Sequence, residues 1–184
     1  MELTTPRLWL RPFGPADFDA AHAVYADPEV MRWVGHGAHR SAAETRAALR
    51  GYADALAARG YGFVAVVERA SGDLIGDAGL HPLGGRGPDV EVGYTLARSA
   101  WGRGYGTEAA RALVEHAFAA LDAPRVVAQV EPDNLPSRHV LEKLGMTERA
   151  TRIAHGRPHI LYGVERADYA AARPVGDAHT AAEA

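Results

Sequence analysis

Between Val90 and Glu108 the chain passes from strand to turn to helix with little room between them, and no other stretch limits its possible folds as strongly. Val90-Glu91-Val92-Gly93-Tyr94-Thr95-Leu96 alternates β-branched and aromatic residues, the pattern of a strand. Gly102, Gly104 and Gly106 then fall at every second position and free the backbone. Thr107-Glu108 opens a segment in which Ala110, Leu113, Val114, Ala117, Phe118 and Leu121 follow three-four spacing, so one helix face packs on a sheet. A glycine turn at a helix start gathers unpaired amide donors and the positive end of the dipole, which suits an anion. Gly106-Thr107-Glu108 lacks the lysine of a P-loop, and Thr107 interrupts a dinucleotide fingerprint. A surface turn whose glycines only relieve strain is the other reading of the glycine pattern taken alone.

The rest of the chain supplies a sheet for that helix. A first strand is expected at Leu8-Trp9-Leu10, and a helix from about Asp17 carries Ala20, Ala21, Val24 and Tyr25. Ser41-Ala42-Ala43-Glu44 fits a capping box for a helix running to Arg59, with Gly60 as its stop. Phe63 to Val67 and Leu74 to Leu80 read as antiparallel strands joined around Ser71-Gly72-Asp73, followed by a strand from Asp89 to about Leu96. Beyond the glycine turn and its helix come a strand at Arg125 to Val130 and a short helix at Pro136 to Leu144. Strands near Met146 to Ile153 and His159 to Glu165 complete the set. The fold class is α/β, in the α+β sense: a mainly antiparallel mixed sheet flanked by helices.

Composition narrows the function. A chain of 184 residues, 47% hydrophobic, can bury one substantial core, and residues 1–172 are expected to form a single domain with 173–184 as a disordered tail. A formal charge of −3 without a basic run argues against a nucleic-acid or membrane-surface partner. With no cysteine, disulfides, thiolate metal sites and a thioester on the enzyme are excluded. Met1-Glu2-Leu3-Thr4 opens no apolar signal region, and a cytoplasmic location is expected.

Four separated pieces resemble the GCN5-related N-acetyltransferases, and within them the ribosomal-protein N-acetyltransferase-like branch. They are Thr5-Pro6-Arg7-Leu8-Trp9-Leu10-Arg11-Pro12, Gly93-Tyr94 with Trp101 to Ala109, Asn134-Leu135-Pro136-Ser137, and Leu141 to Met146. The resemblance implies acetyl-CoA as cosubstrate and acetyl transfer to a primary amine, direct because the chain has no cysteine, with a protein or peptide N-terminus as the preferred acceptor; no metal is expected, because the histidines make no persuasive ligand set. A small amine or aminoglycoside is the alternative acceptor, and a noncatalytic acyl-CoA-binding regulatory domain is the alternative role. It further implies a splayed strand pair, with the pantetheine arm completing the sheet along Glu91 to Leu96. Tyr94, Thr95 and Leu96 are then expected at the cofactor, and Arg103, Gly104, Tyr105, Gly106 and Thr107 at its pyrophosphate. Asn134 and Ser137 meet the arm from the following helix. Either a monomer or a homodimer is compatible with these residues.

Acyl transfer to an amine needs a base, oxyanion support and a proton for the leaving thiolate. Glu91 is the base candidate, with a merely ion-paired strand carboxylate as the structural alternative, and Asp77 and His81 follow it. A backbone N–H near Leu96 is expected at the oxyanion. Many family members carry a tyrosine as proton donor where this chain has Leu141, which cannot serve; Ser137 is the first replacement and Tyr162 the second. His36 and His39 lack a third metal ligand, and His155 and His159 are expected to flank a hairpin loop. Acceptor choice is expected in the loops Trp33 to His39 and His155 to His159, with Tyr25 and Met31 either on that rim or in the core.

Overall fold

The computed structural model describes residues 1–172 apart from His36, Arg40, Arg86 and Gly87, so the expected tail at 173–184 and the reading of His36 lie outside the described residues. Its centre is an eight-stranded sheet in the order β1-β2-β3-β4-β5-β6-β8-β7. The strands are β1 (Leu3–Thr4), β2 (Leu8–Arg11), β3 (Phe63–Glu68), β4 (Leu74–Pro82), β5 (Val90–Leu96), β6 (Arg125–Val130), β7 (Thr147–Ala154) and β8 (Arg157–Glu165). Every neighbouring pair is antiparallel except β5 and β6.

The helices are α1 (Phe18–Ala26), α2 (Pro28–Met31), α3 (Ala42–Arg59), α4 (Tyr105–Ala119), α5 (Leu135–Lys143) and α6 (Arg166–Ala172). Strand alternation sorts them onto two faces. Ala78 and Leu80 of β4 and Val90 and Val92 of β5 join Ala110, Leu113, Val114 and Ala117 of α4 and Leu141 of α5 in the main core. Asp77, which precedes Ala78, turns to the other face and meets Tyr25 of α1, which belongs to a smaller cluster with Ala21, Val24, Val30 and Met31. Tyr25 and Met31 are therefore core residues, and only Trp33 of that expected rim remains part-exposed.

Most expected elements are present. Ser41 caps α3: its hydroxyl accepts from Glu44 N at 3.3 Å, and its own N–H donates to the Glu44 carboxylate at 2.8 Å. The two-residue β1, the single-turn α2 and the terminal α6 were not anticipated, since pieces this short carry too few residues for a period to show. His155 occupies the tight β7–β8 turn, but His159 lies inside β8 and is buried, which corrects its expected place beside the loop. Among the described residues no helix is long and apolar enough to cross a membrane.

Candidate active site

β5 and β6 pair only at Val90↔Val126 and Glu91↔Val127, after which they diverge. β5 continues from Val92 to Leu96 with β4 on one side and no strand on the other, leaving about 16 Å of strand edge for a ligand to pair with. This is the expected splay, with Glu91 at its vertex.

The glycine turn stands at the far end of that edge. Gly102 and Gly104 have φ of +70° and +80°, left-handed values that a side chain would strain. A Cβ at Gly102 would meet nothing within 4 Å, and one at Gly104 only an Arg7 nitrogen at 3.4 Å, so the space above the turn is open. The first bond of α4 runs from Glu108 N to Gly104 O, and the amides of Tyr105, Gly106 and Thr107 precede it as free first-turn donors. Open space, unspent amides and a helix dipole fit a pyrophosphate.

The side chains of the turn are held from behind. Arg7 donates to the Arg103 carbonyl at 2.8 Å and to Glu108 at 2.6 Å, while Thr5 donates to Glu108 at 2.6 Å. Arg103 pairs with Glu68 at 2.7 Å, and the buried Tyr105 also gives its hydroxyl to Glu68. Both guanidiniums lie over the Tyr105 ring, at 4.6 and 4.7 Å from its centroid. The Arg103 and Tyr105 side chains are thus engaged as supports, which leaves their backbone as the part of them open to a ligand. The Trp101 indole closes the end of β5 by donating to Leu96 O at 2.7 Å.

Glu91 is 8% exposed. Gln129 of β6 donates to both its oxygens, at 3.0 and 3.2 Å, and His81 of β4, its cross-strand partner, places Nε2 3.7 Å away. Sequence reasoning missed Gln129, although a lone amide between the apolar Ala128 and Val130 of β6 was a readable signal. Asp77 lies deeper, buried in the middle of β4. Burial pushes its carboxyl up to about 6, against hydrogen bonds from Tyr25 and Thr95 that favour the charged form. Tyr52 stands beside it, its hydroxyl pushed up by burial and then by the Asp77 charge.

Glu91 and Tyr94, three apart on a strand without a bulge, face opposite sides. Tyr94 turns to the α4–α5 face, and its hydroxyl meets Ser137 Oγ at 2.9 Å. Asn134 caps α5 by accepting from Ser137 N at 3.3 Å. Tyr162 is buried in β8, where its hydroxyl donates to Glu148 at 2.9 Å and accepts from Arg138 at 3.1 Å, so its proton is committed away from Ser137. Leu141 is core.

The two expected acceptor loops touch. Arg157 donates to Arg32 O at 3.3 Å, and a Cβ on Gly35 would stand 2.5 Å from the His155 ring. His39 shares a hydrogen bond with Thr45 at 3.0 Å, and among the described residues no three His, Asp or Glu side chains converge as a metal site.

Comparison with known proteins agrees with this geometry. Residues 7–147 match the Acetyltransferase (GNAT) domain family. The N-acetyltransferase p20 of Bacillus licheniformis is 28% identical over 77% of this chain and 80% of its own. YdaF of Bacillus subtilis, named as a candidate ribosomal N-acetyltransferase, is 36% identical over 42% of each chain. The crystal structure of a GNAT-family acetyltransferase from Bacillus anthracis superposes with a TM-score of 0.81 at 25% identity, covering 91% of this chain and 99% of the other.

Proposed function

The chain belongs to the GNAT acetyltransferase family, and from that premise we propose that it transfers acetyl from acetyl-CoA directly to a primary amine, preferentially the α-amino group of a protein or peptide. The observation that carries the proposal is the β5–β6 splay with a buried carboxylate at its vertex and an open glycine turn at a helix start at its end. The ribosomal branch motifs and the name of YdaF support the acceptor.

Acetyl-CoA supplies an acetyl group already activated as a thioester. The amides of the turn and the first turn of α4 hold its phosphates, and the free edge from Val92 to Leu96 takes the amide arm. Glu91, oriented by Gln129, accepts a proton from the amine directly or through one water. A β5 backbone N–H near Leu96 faces the oxyanion, and Ser137, fixed by the Asn134 cap, donates toward the departing sulfur. With no cysteine in the chain, attack is direct.

A panel of peptide N-termini, polyamines, amino acids and aminoglycosides, followed by free-thiol release and product mass, tests this reading. Acetylated peptide N-termini are expected. Efficient reaction of a small amine with none on varied peptides overturns the acceptor, and acetyl-CoA binding without turnover on any amine favours a regulatory acyl-CoA-binding domain.

A further inference from the structure

The position where related enzymes carry a proton-donating tyrosine holds the buried Leu141, yet a tyrosine hydroxyl is present at the same mouth from a different element. Tyr94 projects from β5 three residues beyond Glu91, the last residue to pair with β6, and Ser137 stands in the first turn of α5, the helix that follows β6. Their 2.9 Å contact bridges the two diverging chains on the α4–α5 side of the gap. The other edge of the Tyr94 ring rests on Gly106, where a Cβ would come within 3.3 Å of ring carbon Cε2. A glycine at 106 therefore leaves the ring the place from which its hydroxyl reaches Ser137.

We propose that Tyr94 is a positioning residue for leaving-group protonation: it holds the Ser137 hydroxyl as a donor toward the thiol sulfur and replaces the proton Ser137 gives up. The inference rests on the acetyl-transfer reading. As the C–N bond forms and the C–S bond breaks, the sulfur keeps the bonding pair and takes the Ser137 proton. The Tyr94 proton moves to Ser137, and the amine proton goes to Glu91. Exchange with water then returns a proton to Tyr94 and removes one from Glu91, so one proton leaves the amine for each one gained by the thiol.

Strand geometry gives this arrangement its purpose. Residues three apart on β5 lie on opposite faces, so the base and the donor pair are separated by the sheet and the proton taken by Glu91 cannot quench the donor pair directly. Burial pushes the Tyr94 hydroxyl up to about 12, against the hydrogen bond with Ser137, which keeps it protonated at neutral pH. Tyr162 does not compete, because Glu148 holds its proton.

The test measures proton release as free CoA binds, by calorimetry in buffers of different ionisation enthalpy. A donor pair facing the sulfur favours the thiolate and lowers the bound thiol by about one pH unit from its value in free CoA. Tyr94→Phe and Ser137→Ala are each expected to move it back, and CoA lacking the thiol is expected to show no such release with any of the three proteins. At saturating acetyl-CoA, Tyr94→Phe should lower kcat about tenfold with KM for acetyl-CoA within about twofold, and the double variant should be no slower than Ser137→Ala, as for groups acting in series. Proton release that is the same in wild type and Tyr94→Phe, multiplicative losses in the double variant, or a Tyr94→Phe protein that loses CoA affinity instead of kcat would each overturn the relay. If Tyr94→Phe fails to fold, Ser137→Ala decides: unchanged proton release overturns the relay. Wild-type protein that binds CoA and acetylates no amine overturns the transfer reading itself, a result distinct from full turnover with an indifferent Tyr94→Phe.

Discussion

The glycine turn takes its shape and its open first-turn amides from consecutive residues between Trp101 and Thr107, whereas the carboxylates on the opposite sheet face depend on partners spread through the chain. Gly102 and Gly104 take left-handed values because of their own side-chain absence, and the amides behind them are free because a helix begins there. Glu91 has its character from β4 and β6, and Asp77 from α1, α3 and β5. A site built locally can be altered by one residue without disturbing the rest. A site built by convergence couples function to stability, since its groups are held where charge is costly.

The largest expected effect bears on that coupling. Asp77 has an ordinary value of 3.8 and is raised to about 6 by burial, so between about pH 4 and pH 6 the folded protein holds a proton that the unfolded chain has lost. Stability therefore falls as pH rises through that window and stays lower above it, by roughly 3 kcal/mol. Asp77→Asn keeps an acceptor for the Tyr25 hydroxyl and has no proton to lose. It should be more stable than wild type at pH 7.5 and flat between pH 4 and 6, as read by urea unfolding across that range. An equal pH slope in both proteins would show that Asp77 sets no stability cost and would erase the contrast between the two regions.

Glu91→Gln comes next. Loss of the general base should lower kcat about 10²-fold at neutral pH while acetyl-CoA affinity stays within about twofold, because the cofactor edge does not depend on that carboxylate. Rates equal to wild type across the pH range reject Glu91 as the base.

Gly104→Asp addresses the other region. The substitution forces a side chain into φ +80° and sets a negative charge where phosphate is expected. Acetyl-CoA at about 100 times its Kd should stabilise wild type by about 2.7 kcal/mol, and most of that gain should vanish in the variant. A folded Gly104→Asp with the full thermal shift would place the phosphates elsewhere.

How much could be read from the sequence follows the same division. The turn, the helix behind it, the strand before it and the Ser41 cap were legible because each is written in adjacent residues whose spacing has a local cause. Glu91 was legible as a strand carboxylate beside the cofactor edge. Its Gln129 partner was not, since pairing β6 against β5 requires the whole α4 crossover to fold back. Tyr25 shows the limit most clearly: helical spacing places it on an apolar face, but nothing local says that its hydroxyl ends at a carboxylate on β4. Tyr94 was read as a cofactor contact, and only the tertiary meeting of β5 with α5 revealed Ser137 as its partner.

The smallest effect is expected at Arg7, one of the long-range supports behind the locally built turn. Arg7 touches Glu108 and the Arg103 carbonyl, yet its side chain remains 48% exposed, and a pair this wet contributes only about 0–1 kcal/mol to stability. Its value lies in holding the turn in its binding shape before the ligand arrives, which reduces the ordering cost of association. Arg7→Met keeps part of the aliphatic stem and removes both the donors and the guanidinium that lies over the Tyr105 ring. It should weaken acetyl-CoA about fivefold, a loss of about 1 kcal/mol, and leave kcat at saturation unchanged. Isothermal titration beside steady-state kinetics separates the two quantities. A fall in kcat with unchanged Kd would mean that the strap acts on the chemistry across the sheet, and the cofactor edge and acceptor face would then have to be treated as one coupled unit.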